Sequence, residues 1–114
     1  MPDKTNVLPN NLEAEQSLIG CMLIDNDVLS EVADKLTDRD FYQESHQLIV
    51  SAILKVFYQR KPADIITISD CLEKDGNLSK VGGIDYITEL MQSVPSAANY
   101  KHYFDCLLYT SDAA

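Results

Sequence analysis

Apolar residues recur along this chain at intervals of three and four, in short runs parted by polar breaks. That spacing predicts helices. Ala14, Leu18, Ile19, Met22 and Leu23 mark an amphipathic helix over 12–23, with Asn10 as its cap and Glu13 three residues on, a variant of the capping box. Asp25-Asn26-Asp27 breaks this run and caps a second stripe of Val28, Leu29, Val32, Ala33 and Leu36. A polar turn, Thr37 to Asp40, follows. The strongest pattern comes next, with Leu48, Ile49, Ala52, Ile53, Val56 and Phe57 on one face. It predicts the longest helix of the chain, about 43–60, closed by Arg60-Lys61-Pro62. Cations suit the negative end of a helix and proline suits its stop.

Ile65-Ile66-Thr67-Ile68 is the sole β-branched cluster, and no second strand exists to pair with it. A helix starting at Thr67, capped by that hydroxyl with Asp70 at its third position, buries Ile68, Cys71 and Leu72 instead. Gly76 fits the left-handed position that ends such a helix. Gly82-Gly83 then leads into Ile84, Ile87, Leu90 and Met91, a short helix halted before Pro95. Ser96 caps a last one, whose face is Tyr100, Tyr103, Phe104, Leu107 and Leu108. The predicted fold class is all-α, a compact bundle of about six short helices.

Composition narrows the function. The 114 residues, 46% of them hydrophobic, suffice for one domain with one modest core. The net charge of −9 is spread evenly, with 6 basic and 10 acidic residues in 1–62 and 3 and 8 in 63–114. Arg60-Lys61 is the one adjacent basic pair, so no Lys/Arg cluster exists to neutralise phosphates, and direct nucleic-acid binding is not expected. An acidic surface suits solubility or a basic protein partner. Cys21, Cys71 and Cys106 are far apart and lie among apolar neighbours, which reads as core packing for the first two and argues against a disulfide framework or zinc knuckle. The N-terminus has no apolar signal region and no stretch suits a membrane span, so a cytoplasmic location is expected.

The search for chemistry returns no catalytic, cofactor-binding or metal-ligating residue. A P-loop requires G-x-x-x-x-G-K-[ST], and this chain has four glycines and no Gly-Lys pair. Gly82-Gly83 could cradle phosphate at a helix start, but Asp85 puts a carboxylate where the anion would sit, so the pair reads as a corner between helices. With Gly76 at the sixth position of a calcium loop, the first ligand would be Cys71. His46 and His102 have no neighbouring ligand, and His46 reads as a satisfied, half-buried histidine. Tyr100, Tyr103 and Phe104 cluster on the last helix. They fit an interface, where aromatics bury much area at low entropic cost, and they fit equally a role in the core.

Four blocks, LPNNLEAEQSLIGCML, DFYQESHQLIVSAI, ADIITISDCLEKDGNLSKVGGIDYITEL and VPSAANYKHYFD, occur in that order. Together they resemble the N-terminal domain of the bacterial DnaB-type replicative DNA helicases over roughly residues 7–107. The resemblance implies an all-helical domain that serves assembly in DNA replication. In the family it forms a collar, a trimer of dimers, on a hexameric motor ring, and it helps recruit primase; a helicase loader is a further expected partner. ATP and magnesium would belong to a separate C-terminal motor domain absent from these residues, so no cofactor is expected here and the fragment itself is not expected to be an enzyme. The alternative is a free-standing helical adaptor or a primase-type helicase-binding domain.

Within that frame, residues 1–9 are expected as a flexible tail, 10–95 as the globular helical domain, and 96–107 as the first arm of an incomplete helical hairpin. The family continues beyond this point with basic residues, whereas LYTSDAA carries none. Residues 108–114 are therefore expected as a disordered, non-native tail of a truncated fragment. An incomplete hairpin leaves Tyr103, Phe104 and Leu107 without their partner. The interface expected from this reading is Tyr100, Tyr103, Phe104 and Leu107.

Overall fold

A computed structural model describes residues 9–113, with side chains over 12–105 and at Leu107. Six α-helices follow one another: α1 Pro9–Ile24, α2 Asn26–Val32, α3 Glu44–Tyr58, α4 Ile65–Lys74, α5 Gly83–Gln92 and α6 Tyr100–Ala113. A 3-10 turn, Asp38–Asp40, sits between α2 and α3. The expected helical bundle is therefore present, and no strand occurs among the described residues.

Core formation follows the stripes. Leu18, Ile19, Met22, Leu29, Ile49, Ile53, Ile68, Leu72, Ile87 and Leu90 are all buried, in one cluster that draws on the first five helices. Leu107 joins it from α6. Helix α1 lies at the centre, packed chiefly on α6 and α5, while α3 pairs with α4. No described helix is long and apolar enough to cross a membrane.

Helix boundaries depart from expectation where capping chemistry decides them. α1 begins at Pro9, so Asn10 is a first-turn residue and not the cap. Proline suits the first helical position because its missing N–H has no partner to lose there. At 16 residues α1, rather than the 15-residue α3, is the longest helix. α2 stops at Val32, short of the expected stripe end, although Ala33 and Leu36 remain buried. Asp25 caps it as expected, accepting from the Asp27 N–H.

The start of α4 is a clear correction. Asp64, not Thr67, is the cap: its Oδ1 accepts from the N–H groups of Ile66 and Thr67, both at 2.9 Å. Thr67 Oγ1 returns the favour by accepting from Asp64 N–H at 2.9 Å. A carboxylate satisfying two orphan donors outcompetes a hydroxyl three residues later. Ile65 and Ile66 thus fall in the first turn, and Ile66 is 74% exposed.

The far ends of α3 and α4 close alike. After α4, Asn77 N–H donates to Leu72 O and Gly76 N–H to Glu73 O, with Gly76 at φ 74°, as its sequence position predicts. After α3, Lys61 N–H donates to Val56 O and Arg60 N–H to Phe57 O, but the left-handed residue is Arg60, φ 64°. A side chain in this conformation costs about 1–2 kcal/mol that glycine avoids. Glycine loses part of that gain to greater freedom in the unfolded chain. Arg60→Gly is expected to stabilise the domain by about 0.5–1 kcal/mol, read as an upward shift of the denaturant midpoint. A downward shift would mean that the arginine side chain itself holds this helix end.

The second corner runs from α4 into α5. Gly82, φ 104°, and Gly83, φ 77°, turn the chain, and a Cβ at Gly82 would come within 2.9 Å of Tyr86 Cβ. The glycine pair is a corner that lets α5 fold back. At the start of α6, Ser96 Oγ accepts from Ala98 N–H at 3.2 Å, yet the helix itself begins four residues later at Tyr100. The bounds of α6 reach Ala113, so residues 108–113, expected as a disordered tail, lie inside them.

Candidate functional site

The residues proposed for an interface share one face of α6, and that face is turned inward. Leu107 is buried, while Tyr100, Tyr103 and Phe104 are half-buried against the core. The core reading describes their inner edges; the interface reading concerns only what remains exposed. The inner edges of these side chains complete the core, and their outer edges reach the surface. Tyr100 also borders two shallow clefts between α2 and α6, which share Glu31 on the opposite wall.

Sequence reasoning missed the most developed polar constellation. Glu15 on α1, His46 on α3 and Tyr86 on α5 form a chain of hydrogen bonds, with Glu15 and His46 buried and Tyr86 half-buried. His46 is therefore fully enclosed rather than half-buried. Its Nδ1 lies 2.7 Å from Glu15 Oε1 and its Nε2 lies 2.7 Å from Tyr86 Oη. Glu15 also accepts from the N–H of Tyr42 at 2.6 Å, and from that of Gln43 at 3.5 Å.

The donor and acceptor roles follow from this inventory. An ionised carboxylate can only accept, so His46 donates through Nδ1–H. Gln16 Nε2 donates to Tyr86 Oη at 3.4 Å, leaving the tyrosine O–H to donate to His46 Nε2. The imidazole and phenol rings lie 10° from parallel with centroids 6.0 Å apart.

Physically, the Glu15 carboxylate pins the two residues that lead into α3. Gln43 precedes α3 and provides no side-chain cap of its own. A carboxylate from α1 takes the N–H groups there, where the positive end of the helix dipole favours a negative charge. His46 and Tyr86 carry the chain of bonds on to α5. Three helices are thereby keyed to one another by polar contacts that admit only one register.

An acid–base–hydroxyl series resembles a nucleophilic relay, but two observations count against catalysis. Glu15 and His46 are sealed from solvent, so no substrate reaches them. Burial, the largest cause, raises the Tyr86 hydroxyl above its ordinary value and disfavours the phenolate. Every buried side-chain polar atom among the described residues has a partner, as befits a structural network.

The remaining chemistry-bearing residues are quiet. Cys21 is buried on α1, and burial, with a smaller contribution from Asp25, pushes its thiol up to about 11, so it stays protonated and inert. Cys71, expected in the core, is half-buried at the edge of a cleft that also exposes Lys55 and Lys74. The side chain of Cys106 lies outside the described residues. No group of three His, Cys, Asp or Glu residues converges as a metal site among the described residues.

Comparison with known proteins converges on one family. The model of the DnaB-like helicase N-terminal domain matches residues 7–108. The replicative DNA helicase DnaB of Buchnera aphidicola is 40% identical over 103 residues, covering 90% of this chain and 22% of that protein. The protein of the same name from Mycobacterium leprae is 39% identical over 95 residues, covering 83% of this chain and 16% of its own length. The chain thus spans about a fifth of the curated relatives it matches. The crystal structure of the N-terminal domain of DnaB helicase from Mycobacterium tuberculosis superposes with a TM-score of 0.84 at 36% identity, covering 88% of this chain and 69% of that one.

Proposed function

Because this chain belongs to the DnaB-like helicase N-terminal domain family, we propose that it serves the assembly and partner docking of a replicative helicase. On this reading the whole protein unwinds DNA in the cytoplasm with ATP and magnesium in a motor domain, and these residues contribute contacts rather than catalysis. Its partners are other helicase subunits, joined in a collar, together with primase and a helicase loader. The single observation that carries the proposal is the family match across 7–108. The chemistry of the domain agrees with it. The polar network is sealed, the surface is acidic, and the aromatic face of α6 has outer edges able to pack against a neighbouring helix.

The test is a paired titration of the purified 114-residue chain. Labelled primase is expected to bind it. A labelled single-stranded oligonucleotide at physiological salt is expected to give no change in anisotropy, and ATP no turnover. Tight binding of the oligonucleotide would overturn the reading, because a domain of charge −9 can hold DNA only through a site this proposal does not contain.

A further inference from the structure

A second surface, lined by none of the α6 aromatics, has features the assembly role leaves unused. Between α2 and the C-terminal end of α3 opens a cleft of about 560 Å³, with Asn26 and Ser30 on one side and Tyr58, Arg60, Lys61 and Pro62 on the other. We propose that this cleft binds a short acidic segment of a partner protein, its carboxylates held by Arg60 and Lys61 and an apolar side chain packed on Tyr58.

Three independent observations lead there. Tyr58 is 63% exposed yet held in place, its hydroxyl donating to Ala33 O at 3.3 Å and its ring edge-on to Phe57 at 5.3 Å. An ordered, exposed aromatic offers contact area at little entropic cost. Secondly, the Arg60 and Lys61 side chains are exposed and make no ion pair among the described residues. By contrast Lys55 pairs with Asp75 at 2.9 Å and Lys74 with Asp70 at 3.2 Å. Thirdly, Arg60 occupies a left-handed backbone position that Gly76 fills at the equivalent end of α4. A cationic side chain kept where glycine suits the backbone better points to work done by that side chain.

Charge decides the class of partner. The cleft is a local positive site on a chain of net −9, whose exposed carboxylates include Asp27 and Glu31 on the α6 side of α2 and Asp34 after it. A long polyanion such as single-stranded DNA would reach past the two cations onto a surface rich in such carboxylates. A short acidic segment can satisfy both cations without meeting them. Aromatic–cation pairs also bind single strands, so nucleic acid is the competing outcome that the experiment must separate.

The probe is a fluorescein-labelled pentapeptide with a phenylalanine flanked by paired aspartates, titrated with the full chain at about 50 mM salt, where exposed charges are least screened. Saturable binding is expected, weakened as salt rises, with no binding of the same peptide carrying lysines. Arg60→Gly is expected to weaken binding at least about fivefold while raising the melting temperature, so a folding defect cannot explain the loss. Lys61→Gln and Tyr58→Ala are expected to weaken it similarly. Unchanged affinity in Arg60→Gly, or no saturation by the acidic peptide at millimolar concentration, would overturn the proposal. Tighter binding of an oligothymidylate than of the peptide would reassign the cleft to nucleic acid. The peptide outcomes do not bear on primase binding, so this proposal can fail while the assembly role stands; only oligothymidylate binding that stays tight at physiological salt would overturn both.

Discussion

Glu15→Gln is expected to lower the melting temperature of this domain by roughly 10–20 °C, the larger of two effects that a single conservative change should produce. The substitution keeps the shape and removes the charge. Three donors converge on the Glu15 carboxylate: the N–H groups of Tyr42 and Gln43, and His46 Nδ1. A glutamine offers one acceptor oxygen and turns its NH2 group toward the remaining donors. Each buried donor left without an acceptor costs about 1–3 kcal/mol, and with two of the three affected about 3–5 kcal/mol is expected. Domains of this size have only about 5–15 kcal/mol in total, and each kcal/mol moves the melting point by about 4 °C. Tyr86→Phe cuts the chain of bonds at its outer end, leaving His46 Nε2 without its donor and the part-exposed Gln16 Nε2 without a long contact, so about 1–2 kcal/mol is expected there. A calorimetric scan that ranks Tyr86→Phe as the worse of the two would contradict the assignment of Glu15 as the hub.

The same network sets a limit in alkali. Burial raises the Tyr86 hydroxyl, so in the unfolded chain that tyrosine loses its proton at a lower pH than in the fold. The stability this confers is complete below the ordinary tyrosine value, about pH 10, and is lost as pH rises through the higher folded value. Tyr86→Phe, less stable at neutral pH, should lose less stability across that alkaline range.

Why the helices could be read from the sequence while this network could not is a matter of range. A stripe such as Ile49, Ala52, Ile53 and Val56 declares itself within four residues, because helical geometry alone brings those side chains to one face. The Gly76 cap is equally local. Caps failed where two local candidates competed, as at Asp64 against Thr67, and the carboxylate with two donors in reach won. Arg60 was read as a cation suited to a helix end. Its backbone conformation, which makes it unusual, leaves no mark in the sequence. Glu15, His46 and Tyr86 are separated by 31 and 40 residues, so no window holds two of them. A faint signal did exist. Glu15 sits one residue past Ala14 and three before Leu18, inside the apolar stripe of α1, and His46 occupies the same kind of position three before Ile49. A charged or ionisable residue facing the core demands a partner, and two such residues on different helices suggest one another.

Gly20→Ala tests the packing that positions the α6 face, and here the expected sign is the opposite of what helix propensity dictates. Within an isolated helix, alanine in place of glycine stabilises by about 1 kcal/mol. Gly20, however, lies where α1 crosses α5. A Cβ there would stand 2.4 Å from Leu90 O and 3.2 Å from Val94 Cγ2. The first of these neighbours is backbone, so no rotamer change relieves the overlap; α5 itself must move away from α1. Overpacking of this kind costs about 1–3 kcal/mol and more where the neighbour is rigid. A net loss of about 2 kcal/mol, or roughly 8 °C in melting temperature, is expected. Displacing α5 also pulls Tyr86 from His46, which lie on opposite sides of a 2.7 Å contact. Gly20→Ala combined with Tyr86→Phe should therefore cost less than the two changes added together, since one has already weakened what the other removes. A melting temperature equal to or above that of the parent chain would place α5 farther from α1 than Gly20 requires. It would also remove the reason for a glycine in the middle of the longest helix.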